Sequence, residues 1–176
     1  MPKRDRNGQA EIWTPQQFAS ILAELRLNMR ALFAICYYCG CRVSEARQLQ
    51  AADIVGERIV FRRATTKTKR TRAVPIHPKL QAILAAVDLP TRGYLFHGQS
   101  SDQPLTRQAA DKALREACDR LGYEGYSTHS FRRTWATTLD RKGPRQRVIQ
   151  HLGGWSSLAA LQRYLEVDEY AIVLCG

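Results

Sequence analysis

Arg42, Lys67, His129, Arg132, Trp155 and Tyr164 together supply what breaking a phosphodiester bond without a metal demands. As a nucleophile arrives, negative charge builds on the non-bridging phosphate oxygens, and a cation must meet it in a fixed orientation. Arginine suits this task, because its planar fork bonds phosphate bidentately and stays charged at any working pH. Arg42 and Arg132 are the candidates. The departing 5′ oxygen of deoxyribose needs a proton, which Lys67 can donate once nearby guanidinium groups lower its pKa. His129 lies three positions before Arg132, on the same helical face one turn earlier, and can assist at the same phosphate. The Trp155 indole N–H is a donor only, suited to a non-bridging oxygen while its ring packs the site. Tyr164 can attack, and the covalent phosphotyrosyl link that results keeps the energy of the broken bond available.

The motifs around these residues resemble those of the tyrosine recombinases, or phage integrases. Gly40-Cys41-Arg42-Val43-Ser44-Glu45 matches the family's Gly-x-Arg-x-Ser-Glu turn. Lys67, ahead of Arg72-Ala73-Val74-Pro75-Ile76, corresponds to the hairpin lysine, and His129 with Arg132 to the His-x-x-Arg box. Trp155 followed nine residues later by Tyr164 reproduces the last spacing. The resemblance runs from about Thr14 to Val167. Two departures stand out. Where the family reads Leu-Gly-His, this chain reads Leu152-Gly153-Gly154-Trp155. A register set by Leu152-Gly153 would put Gly154 at the ligand position and leave Trp155 as packing alone, but the distance to Tyr164 favours Trp155 as the ligand. The helical DNA-clamping domain that usually precedes the catalytic domain is not expected here.

The resemblance implies a mainly helical α+β catalytic domain with a small antiparallel β hairpin or sheet, acting as a site-specific DNA recombinase. Tyr164 would form a 3′-phosphotyrosyl intermediate and free a 5′ hydroxyl. Arg42, Arg132, Trp155 and His129 would stabilise the phosphate, Lys67 would donate the proton, and Glu45 would orient the cluster. Lys69 is the runner-up as acid, because hairpin register can slip. No metal, nucleotide or other cofactor is implied. The expected partner is double-stranded DNA, with self-association into a tetramer on DNA and weak association or none without it. The apolar tail, Tyr170 to Cys175, either passes into a neighbouring protomer, as relatives do, or folds onto its own core. Two other functions use overlapping residues: type IB topoisomerase-like relaxation, and a DNA-binding remnant that no longer cuts.

Length and charge agree. A chain of 176 residues fits one domain able to bury roughly 70% of its unfolded surface. Its 27 Lys and Arg, mostly arginine, against 16 Asp and Glu give a formal net charge of +11, a balance suited to nucleic acid. No apolar run reaches the ~18 residues that span a bilayer, and the polar start is no signal core, so a soluble cytoplasmic, nucleoid-associated protein is expected. Among the five cysteines, Cys36, Cys39 and Cys41 crowd together but lack a second closely spaced ligand pair for zinc, so buried reduced thiols are expected.

The elements that must position the six residues follow from local signals. Thr14-Pro15-Gln16-Gln17 caps a helix reaching about Leu25. Ala31 to Cys39 reads as a buried helix broken by Gly40, and Ser44 to Leu49 as a short helix with Arg42 at its entry. Residues 58–62 and 72–76 read as strands flanking a basic hairpin; on composition alone Lys67, Lys69, Arg70 and Arg72 read as a solvated charged loop, and the resemblance alone sets Lys67 apart. Helices follow over Pro78 to Val87 and Thr106 to Leu121, the latter exposing Arg107. Thr128 caps the helix bearing His129 and Arg132, and Arg133 faces away from Arg132, with a surface or backbone-contact role at most expected for it. Helices from Pro144 to Leu152 and from Leu158 to Leu165 complete a single domain, residues 11–176, after a flexible basic start at 1–10.

Overall fold

The computed structural model describes residues 9–165, and within them the chain is mainly helical with one three-stranded antiparallel sheet. Helix α1 (Pro15–Glu24) starts on a closed capping box: the Gln17 N–H donates to Thr14 Oγ1 at 3.2 Å, and the Thr14 N–H to Gln17 Oε1 at 3.0 Å. Helix α2 (Leu27–Cys39) buries Ala31 through Cys36 completely. It begins four residues before its fully buried stretch, with a first turn that leaves Leu27 exposed and no side-chain cap at Arg26. It ends at Gly40, whose φ of +67° and a would-be Cβ only 2.3 Å from the Trp135 ring both exclude a side chain. Helix α3 (Val43–Ala46) is one turn, shorter than expected, with Arg42 as its N-cap.

The sheet runs β1 (Ile54–Val55), β2 (Arg58–Phe61), β3 (Arg72–Pro75). Ile59 faces Val74 and Phe61 faces Arg72 across β2 and β3. That register puts Arg72 on the buried face, in contrast to the solvated charge expected there. Strand β1 went unpredicted because two residues cannot display an alternation.

Helix α4 (Pro78–Ala85) and helix α5 (Arg107–Leu121, capped by Thr106) pack Leu80, and Ala110, Leu114 and Cys118, into the interior. Helix α6 (Thr128–Arg141) is capped by Ser127 and not by Thr128, since Ser127 and Ser130 form the reciprocal capping pair. Helix α7 (Gln146–Gly153) starts two residues later than expected. Helix α8 (Leu158–Gln162), capped by Ser157, stops short of the expected Leu165. Tyr164 therefore occupies the turn after a helix and not the helix itself.

Helix α6 joins two hydrophobic clusters. Its Phe131 stacks on Phe33 (5.0 Å between ring centroids) within the main core, and its Trp135 and Ala136 pack with Ile149, Trp155 and Leu161. Cys36, Cys39, Cys41 and Cys118 are buried free thiols. A hydrogen bond with Cys41, and then burial, push the Cys36 thiol well above its usual range, so it stays protonated. Among the described residues no helix is long and apolar enough to cross a membrane. The apolar tail and Cys175 lie outside the described residues, as does the basic start through residue 8.

Candidate active site

Arg42, Lys67, His129, Arg132 and Tyr164 line a single cleft of about 540 Å³, although they come from α3, the β2–β3 hairpin, α6 and the turn after α8. The geometry is organised around Arg132. Its side chain is 1% exposed, and Nη1 donates to the carbonyl oxygens of Gly40 (2.5 Å) and Gly153 (2.7 Å). The guanidinium lies 3.6 Å above the Trp155 ring and 5.6 Å from the centroid of the Tyr164 ring. Its Nε and Nη2 have no partner among the described residues. One edge of the fork is thus fixed by the ends of α2 and α7, while donors remain on the rest of it. Burial, and next the charge of Arg42, push the group down to about 9, so it is charged at neutral pH. A charged group so held is costly until an anion meets it.

Arg42 donates to Glu45 Oε1 at 2.9 Å, and the buried Glu45 accepts on its other oxygen from Arg72 Nη2 at 2.5 Å. Arg72 in turn donates through Nε to the Leu152 carbonyl at 2.9 Å, and its guanidinium lies 4.6 Å from the Phe61 ring centroid. Glu45 therefore links Arg42 to Arg72, and Arg72 links the sheet to the end of α7. This buried arginine is the main participant that sequence reasoning missed. The signal was its place in the strand, two residues before inward-facing Val74.

Lys67 and Lys69 are both exposed and both line the cleft. Their loop closes on the buried Thr66, whose hydroxyl accepts from the Arg70 N–H at 3.1 Å and whose carbonyl accepts from the Lys69 N–H at 3.2 Å. Lys69 has a left-handed backbone, φ +56°, which turns the chain back toward β3. His129 is exposed in the first turn of α6 and faces the cleft. Arg107, read from sequence as an ordinary wet charge, also lines it.

Trp155 is placed differently from the other five. It is 4% exposed and lies beneath Arg132, stacked with Trp135 and edge-on to Tyr164 at 5.3 Å. Its indole N–H is buried and has no hydrogen-bond partner among the described residues. The ring forms the floor of the site. Gly153 makes that floor possible, because a Cβ there would lie 1.9 Å from the Trp155 ring. Gly153→Ala is accordingly expected to tilt Trp155, release the carbonyl that holds Arg132, and cost about 1–3 kcal/mol of stability. A thermal melt together with tryptophan fluorescence checks this, and an unchanged melt with unchanged emission would contradict it.

The fold is that of recombinase and integrase catalytic domains. It superposes on XerA recombinase with a TM-score of 0.78 at 20% identity, over 99% of this chain and 65% of that one. It also superposes on the catalytic domain of bacteriophage HP1 integrase with a TM-score of 0.67 at 27% identity, over 89% and 87% of the two chains. Residues 12–170 match the phage integrase family model, and the chain belongs to that family. Tyrosine recombinase XerC of Rhodospirillum centenum is 36% identical over 150 residues, 81% of this chain and 43% of the relative. The chain spans about half the length of the curated relatives it matches.

Proposed function

We propose that this chain is the catalytic domain of a site-specific recombinase that cuts and rejoins double-stranded DNA. The observation that carries the reading is the buried Arg132, with donors left unpaired, in the same cleft as the Tyr164 phenol. A scissile phosphate seated on Arg132 and Arg42 has its negative charge met by fixed, partly desolvated donors. Tyr164 Oη attacks phosphorus and passes its proton to His129, forming the phosphotyrosyl ester at the 3′ side. The bond from phosphorus to the 5′ oxygen breaks, and Lys67, with Lys69 as alternative, protonates that oxygen. His129 assists proton movement at the same phosphate, and Glu45 holds Arg42 in orientation. Trp155 supports the Arg132 guanidinium from below. A partner strand's 5′ hydroxyl then attacks the ester, restores the phosphodiester and returns the proton to Tyr164. Bringing that strand close requires several copies assembled on DNA, and the same substrate implies work at the nucleoid in the cytoplasm.

A nicked suicide duplex, which loses its 5′ fragment on cleavage, tests the reading. The chain is expected to form a covalent adduct that resists denaturing electrophoresis, and Tyr164→Phe is expected to form none. Retained duplex binding without adduct in the unaltered chain would sink the proposal in favour of a non-cleaving DNA-binding protein. Sustained relaxation of supercoiled plasmid lacking partner sites would instead favour a topoisomerase.

A further inference from the structure

The residue beside Arg132 is also a buried arginine. Arg133 is 4% exposed, so its charge is far from bulk water and must be met by fixed acceptors. Three of these come from two segments far apart in sequence. Nη1 donates to the Ala10 carbonyl at 2.6 Å, Nη2 to Gln9 Oε1 at 2.8 Å, and Nε to the Tyr164 carbonyl at 3.2 Å. Gln9 closes the circuit, since its Nε2 donates to the Arg163 carbonyl at 3.2 Å. The segment that contains Gln9 and Ala10 is fixed along its length. The Glu11 N–H donates to the Gly125 carbonyl at 3.0 Å and the Trp13 N–H to Thr134 Oγ1 at 2.8 Å. One turn beyond Arg133 on α6, the Thr137 hydroxyl also reaches the Tyr164 carbonyl, at 3.5 Å.

We infer that Arg133 is a positioning residue for the nucleophile: its guanidinium ties the entering Gln9-Ala10 strap to the main chain of Arg163 and Tyr164 and so sets where the phenol stands. Helix α8 ends at Gln162, so the turn that carries Tyr164 has few helical bonds of its own. Its one local main-chain anchor at this residue is the bond from the Tyr164 N–H to the Leu161 carbonyl at 2.8 Å. The carbonyl on the other side of Tyr164 is held by α6 and, through Arg133, by the strap. An in-line attack tolerates little displacement, and a shift of about 1 Å costs roughly a hundredfold in rate. The chain that enters the domain is thereby mechanically connected to the reacting phenol.

This inference rests on the recombinase reading, and its test is built to separate the two. Arg133→Ala is expected to slow single-turnover cleavage of the suicide duplex by roughly ten- to a hundredfold. Its equilibrium affinity for an uncleavable duplex should stay within about twofold, since the phosphate-facing groups are untouched. Arg133→Lys, which keeps the charge but places all its donors on one nitrogen where the guanidinium meets the three acceptors with three, should recover little of the rate. Gln9→Ala, which leaves α6 intact, serves as the second variant should Arg133→Ala fold poorly, and is expected to slow cleavage by a few-fold. Trypsin cleavage after Arg163 should be faster in all three. Wild-type cleavage rates in Arg133→Ala, or in Gln9→Ala where the first does not fold, would overturn the inference, as would unchanged protection of the Arg163 bond. Absence of any adduct in the unaltered chain would overturn the recombinase reading and leave the trypsin result to judge the tie itself.

Discussion

Replacing Arg132 with alanine is expected to slow covalent adduct formation by at least about a thousandfold. One preorganised donor at a developing oxyanion is worth about a hundred- to a thousandfold in rate. Arg132 offers Nε and Nη2 together, from a buried group held on two main-chain carbonyls. Arg132→Lys should fare little better, because an ammonium that reaches Gly40 and Gly153 has no rigid second edge left for phosphate. The change also strips the Gly40 and Gly153 carbonyls of their partner and uncovers the Trp155 face. Each unsatisfied buried group costs about 1–3 kcal/mol, so the melting temperature should fall as well. Duplex affinity should fall far less than the cleavage rate, since binding is shared among many cations. Single-turnover kinetics with the suicide duplex check this. An Arg132→Ala variant that cleaves within tenfold of the unaltered rate would remove Arg132 from the chemistry.

Arg72→Ala is expected to produce the largest loss of stability, about 3–5 kcal/mol, the usual consequence of removing one partner of a buried ion pair. Glu45 would remain fully buried with Arg42 as its one remaining ionic partner among the described residues, and both the Leu152 carbonyl and the Phe61 ring would lose their contacts. For a domain of this size each kcal/mol shifts the melting temperature by roughly 2–4 °C, so a fall of roughly 10 °C is expected. The unbalanced Glu45 would also draw Arg42 toward itself and away from the phosphate, so cleavage should slow in the fraction still folded. The double change Arg72→Met with Glu45→Met removes both charges and should be less destabilising than Arg72→Ala alone. Calorimetric or optical melts of the three proteins decide the matter. A melt of Arg72→Ala indistinguishable from that of the unaltered chain would show that the pair carries no net stability.

The local features of this fold were legible in the sequence where a single segment contains the whole cause. The Thr14-Pro15-Gln17 cap, the Gly40 break and the two longer strands are of that kind. The five residues that line the cleft were picked out by the resemblance of their surroundings to the integrase motifs, and for Lys67 by that resemblance alone. What could not be read depended on distant segments. Arg133 does face away from Arg132, as helical geometry requires, but that second face is covered by residues 9–13 and by the Tyr164 turn. Arg72 looked like one more charge in a basic hairpin because the acceptors that allow its burial, Glu45 and Leu152, lie 27 and 80 positions away. Tyr164 was expected on a helix since Leu158 to Leu165 has helical composition; the chain instead leaves the helix at Gln162, where its carbonyls turn to α6 and the strap.

The way Arg132 is seated has a consequence for the timing of synthesis. Its two anchoring carbonyls, its aromatic floor and the phenol are supplied by Gly40, Gly153, Trp155 and Tyr164, so three of the four emerge from the ribosome after Arg132 itself. Such long-separated contacts close late in folding. A polypeptide interrupted before Trp155 would have neither platform nor phenol, so on the proposed function an incomplete chain is expected to form no covalent adduct with DNA.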